Sequence, residues 1–257
     1  MATPKNITHK KADQYNDVNH NYVDYWQHRN YENQAEIIAI KRLLKDKHFK
    51  TAVDVGGGYG RLSVLLSQYA DKVVLAEPST QQLDLATDFI KDYPSISKQL
   101  LQADDLKFPS GSIDLLTMIR VMHHLPDPSA ELAEIARVLS KDGLAIIEVA
   151  NYAHFLNRLR LFVHGKKLPM SPVDIRSPEH RNNSEIPFVN HNPETVIWQF
   201  DKVGLEIVEV LSVSNLRNGL IKTVLPLNIL LGLEKIGQKP LAKYYFGPSV
   251  FFLLHKK

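Results

Sequence analysis

Short apolar runs alternate with amphipathic stretches along most of the chain, a pattern typical of a sheet whose strands are connected by helices. The run at 113–119 is apolar apart from two positions, as expected of a strand buried on both faces. The pattern predicts strands at 52–55, 73–77, from 98 onward, 113–119, 144–149, 205–213 and 250–254. It predicts helices at 33–47, 59–69, 80–92, 127–139, 153–164 and 193–203. The fold class is therefore α/β.

The segment TAVDVGGGYGR, residues 51–61, connects the first predicted strand to the next helix through a glycine-rich turn. Glycine suits such a turn because it adopts positive φ easily and lets a ligand approach bare backbone. The dinucleotide fingerprint G-x-G-x-x-G is not matched, since neither Gly56 nor Gly58 has a glycine five positions further on. The pattern present instead is D-x-G-x-G-x-G, from Asp54 to Gly60.

This pattern resembles motif I of class I S-adenosylmethionine-dependent methyltransferases, and segments 104–109 and 120–128 resemble later parts of their small-molecule, methyltransferase type 11-like branch. The resemblance implies a Rossmann-like, seven-stranded, mostly parallel sheet with helices on both faces and strand seven antiparallel. It also implies S-adenosyl-L-methionine as cofactor and in-line methyl transfer to a small-molecule acceptor. The departure from the Asn-Pro-Pro-Tyr and Asp-Pro-Pro-Tyr tetrads of base-modifying relatives argues against a nucleic acid substrate.

The resemblance implies cofactor contacts at the glycine turn and at the ends of the following strands. In the turn they fall on Asp54, Gly56, Gly57 and Gly58. Glu77 ends the second strand about twenty residues after Gly56, where an acid accepts hydrogen bonds from ribose hydroxyls, and Pro78 follows it. After the fourth strand, the carbonyls of Ile119 and Arg120 would face the amino group of the cofactor.

The segment Asp104-Asp105-Leu106, followed by Phe108-Pro109, resembles the part of the family that lies along the adenine. There an acid accepts from the exocyclic amine and the next backbone N–H meets a ring nitrogen. Asp104 is the first choice for the acid and Asp105 the second.

Aromatic residues recur near the start of the chain, and Tyr22, Tyr25, Trp26 and Arg29 would share one face of a helix. One interpretation is a helix that packs on the main domain. The other is a helix that closes over the cofactor, with Tyr25 at the site and Arg29 paired with a carboxylate.

His123 and His124 follow the fourth strand, and an imidazole there could act as a general base. The competing interpretation is that one or both pack the loop. Adjacent residues of an extended strand point in opposite directions, so a metal site is not expected.

The chain is predicted to form one methyltransferase domain with an N-terminal helical cap at 1–48, a nucleotide-binding core at 49–150, an insertion or lid at 151–192 and a completion of the sheet at 193–257. The lid is predicted to bind the acceptor, with disorder as the alternative. The apolar but lysine-containing segment 219–246 is expected to pack on the core. An apolar acceptor tunnel and a surface that makes weak contact with lipid are the other interpretations.

Composition and charge indicate which kinds of partner and which location are expected for the chain. The net charge is +3 with mixed signs and no long basic cluster, so no nucleic acid surface is expected. There is no cysteine, the N-terminus does not resemble a signal peptide, and no apolar run is long enough to cross a bilayer. A cytoplasmic location is expected, and the sequence gives no indication of the oligomeric state. The alternative functions are an NAD(P)-binding oxidoreductase and a nucleotide-binding module without catalysis.

Overall fold

The computed structural model describes Tyr15, Trp26, residues 28–183 and residues 186–257. The first five strands are β1 (Phe49–Val55), β2 (Ala70–Glu77), β3 (Ile96–Leu100), β4 (Ile113–Met118) and β5 (Leu139–Ala150). Strands β6 (Val173–Asp174) and β7 (Val189–Asn190) form a separate antiparallel pair. Strands β8 (Leu205–Val213) and β9 (Ser249–Lys256) complete the large sheet.

The large sheet has seven strands in the order β3-β2-β1-β4-β5-β9-β8. Strands β1 to β5 pair in parallel, and β9 lies antiparallel between β5 and β8. The structure confirms the predicted Rossmann-like sheet with its last strand antiparallel. The order reverses between β1 and β4, and open sheets of this type bind ligands at the carboxyl ends of the strands beside such a point.

Helices cover both faces of this sheet. They are α1 (Asn30–Leu43), α2 (Arg61–Leu66), α3 (Thr80–Phe89), α4 (Ser129–Val138), α5 (Phe155–Val163), α6 (Pro178–Asn183), α7 (Pro193–Lys202), α8 (Gly219–Val224) and α9 (Leu227–Ala242), with a 3-10 turn at Met122–His124. Several of them begin with a side-chain cap; for example, Ser79 Oγ accepts from the Gln82 N–H and Asn192 Oδ1 accepts from the Glu194 N–H. No helix in the described part is long and apolar enough to cross a membrane.

Two buried apolar clusters lie on opposite faces of the sheet. Along β1, Ala52 belongs to one cluster, whereas Val53 and Val55 belong to the other. The alternation follows from the two-residue period of a strand. The continuous apolar runs in the sequence therefore correspond to strands covered on both faces.

Most predicted elements are present, with shifted ends. Helix α2 stops at Leu66, shorter than the predicted 59–69, and β5 begins at Leu139, earlier than the predicted 144. The helix predicted at 153–164 is α5, and the strand predicted at 205–213 is β8. The remainder of 151–192 contains β6, α6 and β7 in its described part, so regular structure is found there.

Candidate cofactor and acceptor site

The glycine turn after β1 is built so that only bare backbone fits. Gly56 and Gly58 have φ of +64° and +59°, a region that disfavours side chains. A Cβ on Gly56 would lie 2.3 Å from Val121 Cγ2, and one on Gly57 would lie 2.4 Å from Leu75 Cδ1. The turn is therefore packed from below and presents main chain on its open side.

Asp54 supports this turn from inside the protein. Its carboxylate accepts hydrogen bonds from Ser63 Oγ on α2 at 2.7 Å and from Thr117 Oγ1 on β4 at 2.8 Å. Complete burial raises the pKa of Asp54, while the two hydroxyl donors oppose that rise. This carboxyl group connects β1, β4 and α2, and it also contributes to the wall of a small cavity above the turn.

Glu77 joins the end of β2 to the same turn. The side chain is buried, and its Oε2 accepts from the Gly58 N–H at 2.9 Å while Oε1 accepts from the Ser79 N–H at 3.0 Å. Two backbone donors therefore fix the position of the Glu77 carboxylate beside the glycine turn.

Two adjoining cavities open at the carboxyl ends of β1, β2 and β4. The smaller, of ≈ 100 Å³, lies over the glycine turn and reaches His123 and Phe188. The larger, of ≈ 450 Å³, runs past Ser79 to residues 102–104, and its volume is within the range of small-molecule sites. Their linings have four residues in common: Tyr15, Gly56, Glu77 and Arg120.

A buried carboxylate holds two arginines at the smaller cavity. Glu36 on α1 accepts from Arg61 Nη2 at 2.6 Å and from Arg120 Nε at 2.6 Å. Both guanidinium groups lie over the Trp26 ring, 3.7 Å and 4.8 Å from its centroid. Sequence reasoning did not select Glu36 or Arg61. The available signal was an acid in register with the buried residues Ala39, Ile40 and Leu43 of α1, since a buried acid needs a cationic partner.

Arg120 has an unusual backbone as well. Its φ is +62°, which is uncommon for a residue with a side chain. The N–H of Arg120 donates to Glu148 Oε2 at 3.1 Å, and Glu148 also accepts from Ser249 Oγ at 2.6 Å. Burial raises the pKa of Glu148 and the nearby Arg120 opposes the rise. The end of β5 therefore fixes the chain where it turns away from β4.

His123 lies buried in the 3-10 turn and lines the smaller cavity. Its ring is 3.9 Å from the ring of His124 and 4.4 Å from that of Phe188, measured between centroids. Burial first, then the adjacent His124 and Arg120, hold the pKa of His123 well below 6.5. The imidazole is neutral near pH 7, and its nitrogens make no hydrogen bond to another described residue.

His124 is engaged at both ring nitrogens. Its Nδ1 lies 2.9 Å from the Pro187 carbonyl oxygen, and its Nε2 lies 2.6 Å from the Tyr15 hydroxyl. A carbonyl only accepts, so Nδ1 donates, and in the neutral ring Nε2 accepts from Tyr15. His191 Nε2 likewise donates to the Met122 carbonyl at 2.9 Å. These contacts hold residues 186–191 against the 3-10 turn.

Most of the residues predicted to bind the cofactor line one of the two cavities, and a few do not. Those that line a cavity are Asp54, Gly56, Gly57, Gly58, Glu77, Pro78, Asp104 and Arg120. Arg29 precedes α1 and lines neither cavity, whereas Arg61 and Arg120 line the smaller one. Tyr25 lies outside the described residues.

The segment expected to lie along the adenine lies only partly at the larger cavity. Asp105 is exposed and pairs with Lys107, while Leu106 is fully buried and its N–H donates to Glu134 Oε1 at 2.8 Å. The residues that line the larger cavity are Gln102, Ala103 and Asp104. The lining begins earlier than predicted because β3 already ends at Leu100, so the chain reaches the site edge sooner.

An inserted antiparallel β9, a glycine turn after β1 and a buried acid at the end of β2 together define an α/β protein of the class I methyltransferase type. The family model described as a methyltransferase domain matches residues 25–210. The chain belongs to this family of class I S-adenosylmethionine-dependent methyltransferases. An NAD(P)-binding oxidoreductase is accordingly not favoured.

Curated relatives agree with this assignment. An uncharacterised methyltransferase of Bacillus subtilis is 28% identical over 131 residues, which cover 46% of this chain and 51% of that protein. The 2-methyl-6-phytyl-1,4-hydroquinone methyltransferase of Synechocystis is 30% identical over 98 residues, which cover 38% of this chain and 31% of that protein. The chain spans about half the length, or less, of the curated relatives it matches.

Solved structures share the fold across nearly the whole chain. A candidate methyltransferase of Haloferax volcanii, solved in complex with a methyltransferase activator, has a TM-score of 0.64 and 18% identity, and the alignment covers 96% of this chain and 99% of that one. An identity this low indicates the shared fold alone.

The residues present fit S-adenosylmethionine, the cofactor of the family. The turn offers main chain without side chains at Gly56 and Gly58, and Glu77 offers a fixed carboxylate beside it. The larger cavity continues from this point along the ends of β2 and β3. An extended nucleoside derivative requires this combination of a bare turn, a hydroxyl acceptor and an adjoining cleft.

Proposed function

We propose that the chain transfers a methyl group from S-adenosylmethionine to a small acceptor with an apolar part. The observation that carries the proposal is that one pair of adjoining cavities is bounded by the glycine turn and Glu77 on one side and by His123 and Phe188 on the other. In this proposal, the groups that bind the donor and those that face the acceptor line the same pair of cavities.

In this proposal, the turn and Glu77 hold the adenosyl part, with Glu77 accepting from ribose hydroxyls. Gln102, Ala103 and Asp104 form the wall for the base, and Arg61 and Arg120 make the opposite end favourable for a carboxylate. S-adenosylmethionine supplies an activated methyl group. The chain's own contribution is then to align the acceptor and exclude water.

The acceptor is proposed to lie between Tyr15, Ile186 and Phe188, which give this part of the site an apolar and aromatic wall. Small organic acceptors fit such a wall, and the Synechocystis relative is named for a substituted hydroquinone. A nucleic acid acceptor fits less well, since the chain carries a net charge of only +3 and has no long basic cluster.

We assign His123, rather than His124, the role of general base: it takes the proton from the hydroxyl or amine group that receives the methyl group. His123 is neutral because of its burial, and its ring nitrogens make no hydrogen bond within the described residues. His124 uses both nitrogens to hold Pro187 and Tyr15. It is therefore a positioning residue for the wall of the acceptor site.

The test is transfer of a labelled methyl group. The full chain is incubated with methyl-labelled S-adenosylmethionine and separate extracts of apolar metabolites, polar metabolites, protein and RNA. The proposal expects label in an apolar small molecule and loss of that label in Glu77→Ala. Label confined to protein or RNA would overturn the acceptor class. Donor binding without transfer to any fraction would favour a binding module instead.

A further inference from the structure

Helix α5 turns most of its apolar face away from the protein, although the Phe155 ring stacks on that of Phe246, 5.1 Å away between centroids. Its large apolar residues occur at spacings that place them on one face; we call this set the α5 stripe, and it consists of Phe155, Leu156, Leu159, Phe162 and Val163. All five are exposed, Phe162 by 82% and Val163 by 71%. The residues partly buried against the protein are Asn157, Arg158 and Leu161. A surface helix normally has the reverse arrangement.

The segment around α5 carries basic residues and no acidic ones. Between Glu148 and Asp174 the sequence contains no acidic residue, and it contains four cations: Arg158, Arg160, Lys166 and Lys167. Arg160, Lys166 and Lys167 are exposed. A short helix with Phe and Leu on one face and Lys or Arg beside it is the composition of helices that lie in the surface of a bilayer.

Helix α8 presents further apolar residues at the same edge of the sheet. Strand β5 ends at Ala150 and strand β8 ends at Val213, and both of these residues pair with Ser249 of β9. The two strand ends therefore lie at one level of the sheet, about 10 Å apart in the strand-to-strand direction, and helices α5 and α8 follow them. Leu220 and Val224 of α8 are both more than three-quarters exposed.

We propose that the α5 stripe inserts into the surface of an anionic lipid bilayer, with Leu220 and Val224 of α8 beside it. The apolar side chains enter the acyl boundary, and the flanking cations meet the negative headgroups. The charge argues against a second copy of this chain on the same face, because a symmetric pair would bring two basic segments together. Residues of α5 line neither cavity, so the surface is separate from the proposed catalytic site.

The experiment is flotation of the full chain with vesicles of phosphatidylcholine, alone or mixed with phosphatidylglycerol, at low and high salt. We expect the wild type to float with the anionic vesicles, at least tenfold more than with neutral vesicles or at high salt. The double variant Phe162→Glu/Val163→Glu should lose at least tenfold in partitioning. Lys166→Glu/Lys167→Glu should lose the preference for anionic vesicles.

The control for added charge is Val208→Glu, which places one negative charge, against two in the stripe variant, at a residue that is 53% exposed on the edge strand β8. It should float like the wild type. Binding of S-adenosylmethionine, measured by calorimetry, should be unchanged in every one of these variants, which separates this test from that of the proposed function.

Three results would overturn the proposal. The first is a wild type that stays out of the floating fraction with every vesicle, and the second is a stripe variant that floats as the wild type does. The third is a wild-type dimer that the stripe variant dissociates in the absence of vesicles, which would make the α5 stripe an interface between copies.

Discussion

Glu77 is the side chain on which the proposed donor site depends most. It is buried, fixed by the Gly58 and Ser79 N–H groups, and borders both cavities. Glu77→Ala should weaken S-adenosylmethionine binding by about 1–3 kcal/mol, or roughly fivefold to 150-fold, because a buried hydrogen-bond partner is lost. Calorimetry measures this directly.

The control for that variant is Asp105→Ala, which removes an exposed acid in the neighbouring loop that lines neither cavity. Its affinity for the donor should equal that of the wild type. If Glu77→Ala also bound the donor as tightly as the wild type, Glu77 would have no part in the site.

His123 should control the rate of methyl transfer to an acceptor with a labile proton. His123→Gln should lower kcat by a factor of about 10²–10⁴, the range for loss of a positioned general base. The wild-type rate should remain constant as pH falls through 6.5, since burial keeps the imidazole neutral to lower pH. A His123→Gln enzyme with normal kcat would restrict this residue to packing.

The same histidine should make folding stability depend on acid. Its folded-state pKa lies well below 6.5, whereas the unfolded chain titrates near 6.5, so below that pH the unfolded state binds more protons. This contribution to stability is fully present above pH 6.5 and is lost as pH falls.

A phenylalanine at position 123 would keep a ring against Phe188 but would not titrate. In urea unfolding, the free energy of unfolding of His123→Phe should rise relative to that of the wild type, by up to about 1.4 kcal/mol for each pH unit below 6.5. A stability difference that is constant between pH 7.5 and 5.5 would contradict the assigned shift.

Among the elements, the turn between β1 and α2 is expected to tolerate little change. An added Cβ at Gly57 would lie 2.4 Å from Leu75 Cδ1 and 2.6 Å from Asp54 Oδ2. Gly57→Ala should therefore lower the free energy of unfolding by about 1–3 kcal/mol through overpacking and also weaken donor binding. Denaturant unfolding and calorimetry measure the two effects.

Gly232 in α9 provides the matched control, because an added Cβ there meets nothing within 4 Å. Gly232→Ala should be neutral or should stabilise by a few tenths to about 1 kcal/mol, since alanine favours a helix interior. Equal effects of the two variants would contradict the packing described for the turn.

The elements also show what sequence patterns can predict. The strands were visible as apolar runs because burial on both faces leaves few polar positions, as in β4. The glycine turn, Glu77 and Arg120 were predicted from local spacing and resemblance, and all line the cavities. Asp105 and Leu106, predicted from the resemblance of the same segment, lie outside the cavity lining. The end of β3 decides which residues of this loop reach the cavity, and strand ends are weakly marked in sequence.

The arginine cluster could not be found in this way. Glu36 meets Arg61 and Arg120 across sequence separations of 25 and 84 residues, and Trp26 joins them from yet another segment. Such contacts arise only when α1 packs beside the turn and beside the loop after β4. The local pattern of apolar and polar residues does not indicate that these segments pack together.

For the whole molecule, the proposed division into cap, core, lid and sheet completion stays a prediction. Contacts do connect these parts. Glu234 of α9 accepts from the Tyr31 hydroxyl at 2.7 Å and from the Ser214 N–H at 2.8 Å, all in buried surroundings. His191 and Pro187 connect the lid segment to the turn after β4. The site is thus bounded by segments from distant parts of the chain.

The most direct test of the account is a crystal structure of the full chain with S-adenosylhomocysteine, the product of methyl transfer. The account predicts that its ribose hydroxyls donate to Glu77, that its backbone neighbours are Gly56 and Gly58, and that its base lies against residues 102–104. Density for the ligand away from the glycine turn, or a pose in which Glu77 makes no contact with the ribose, would contradict it.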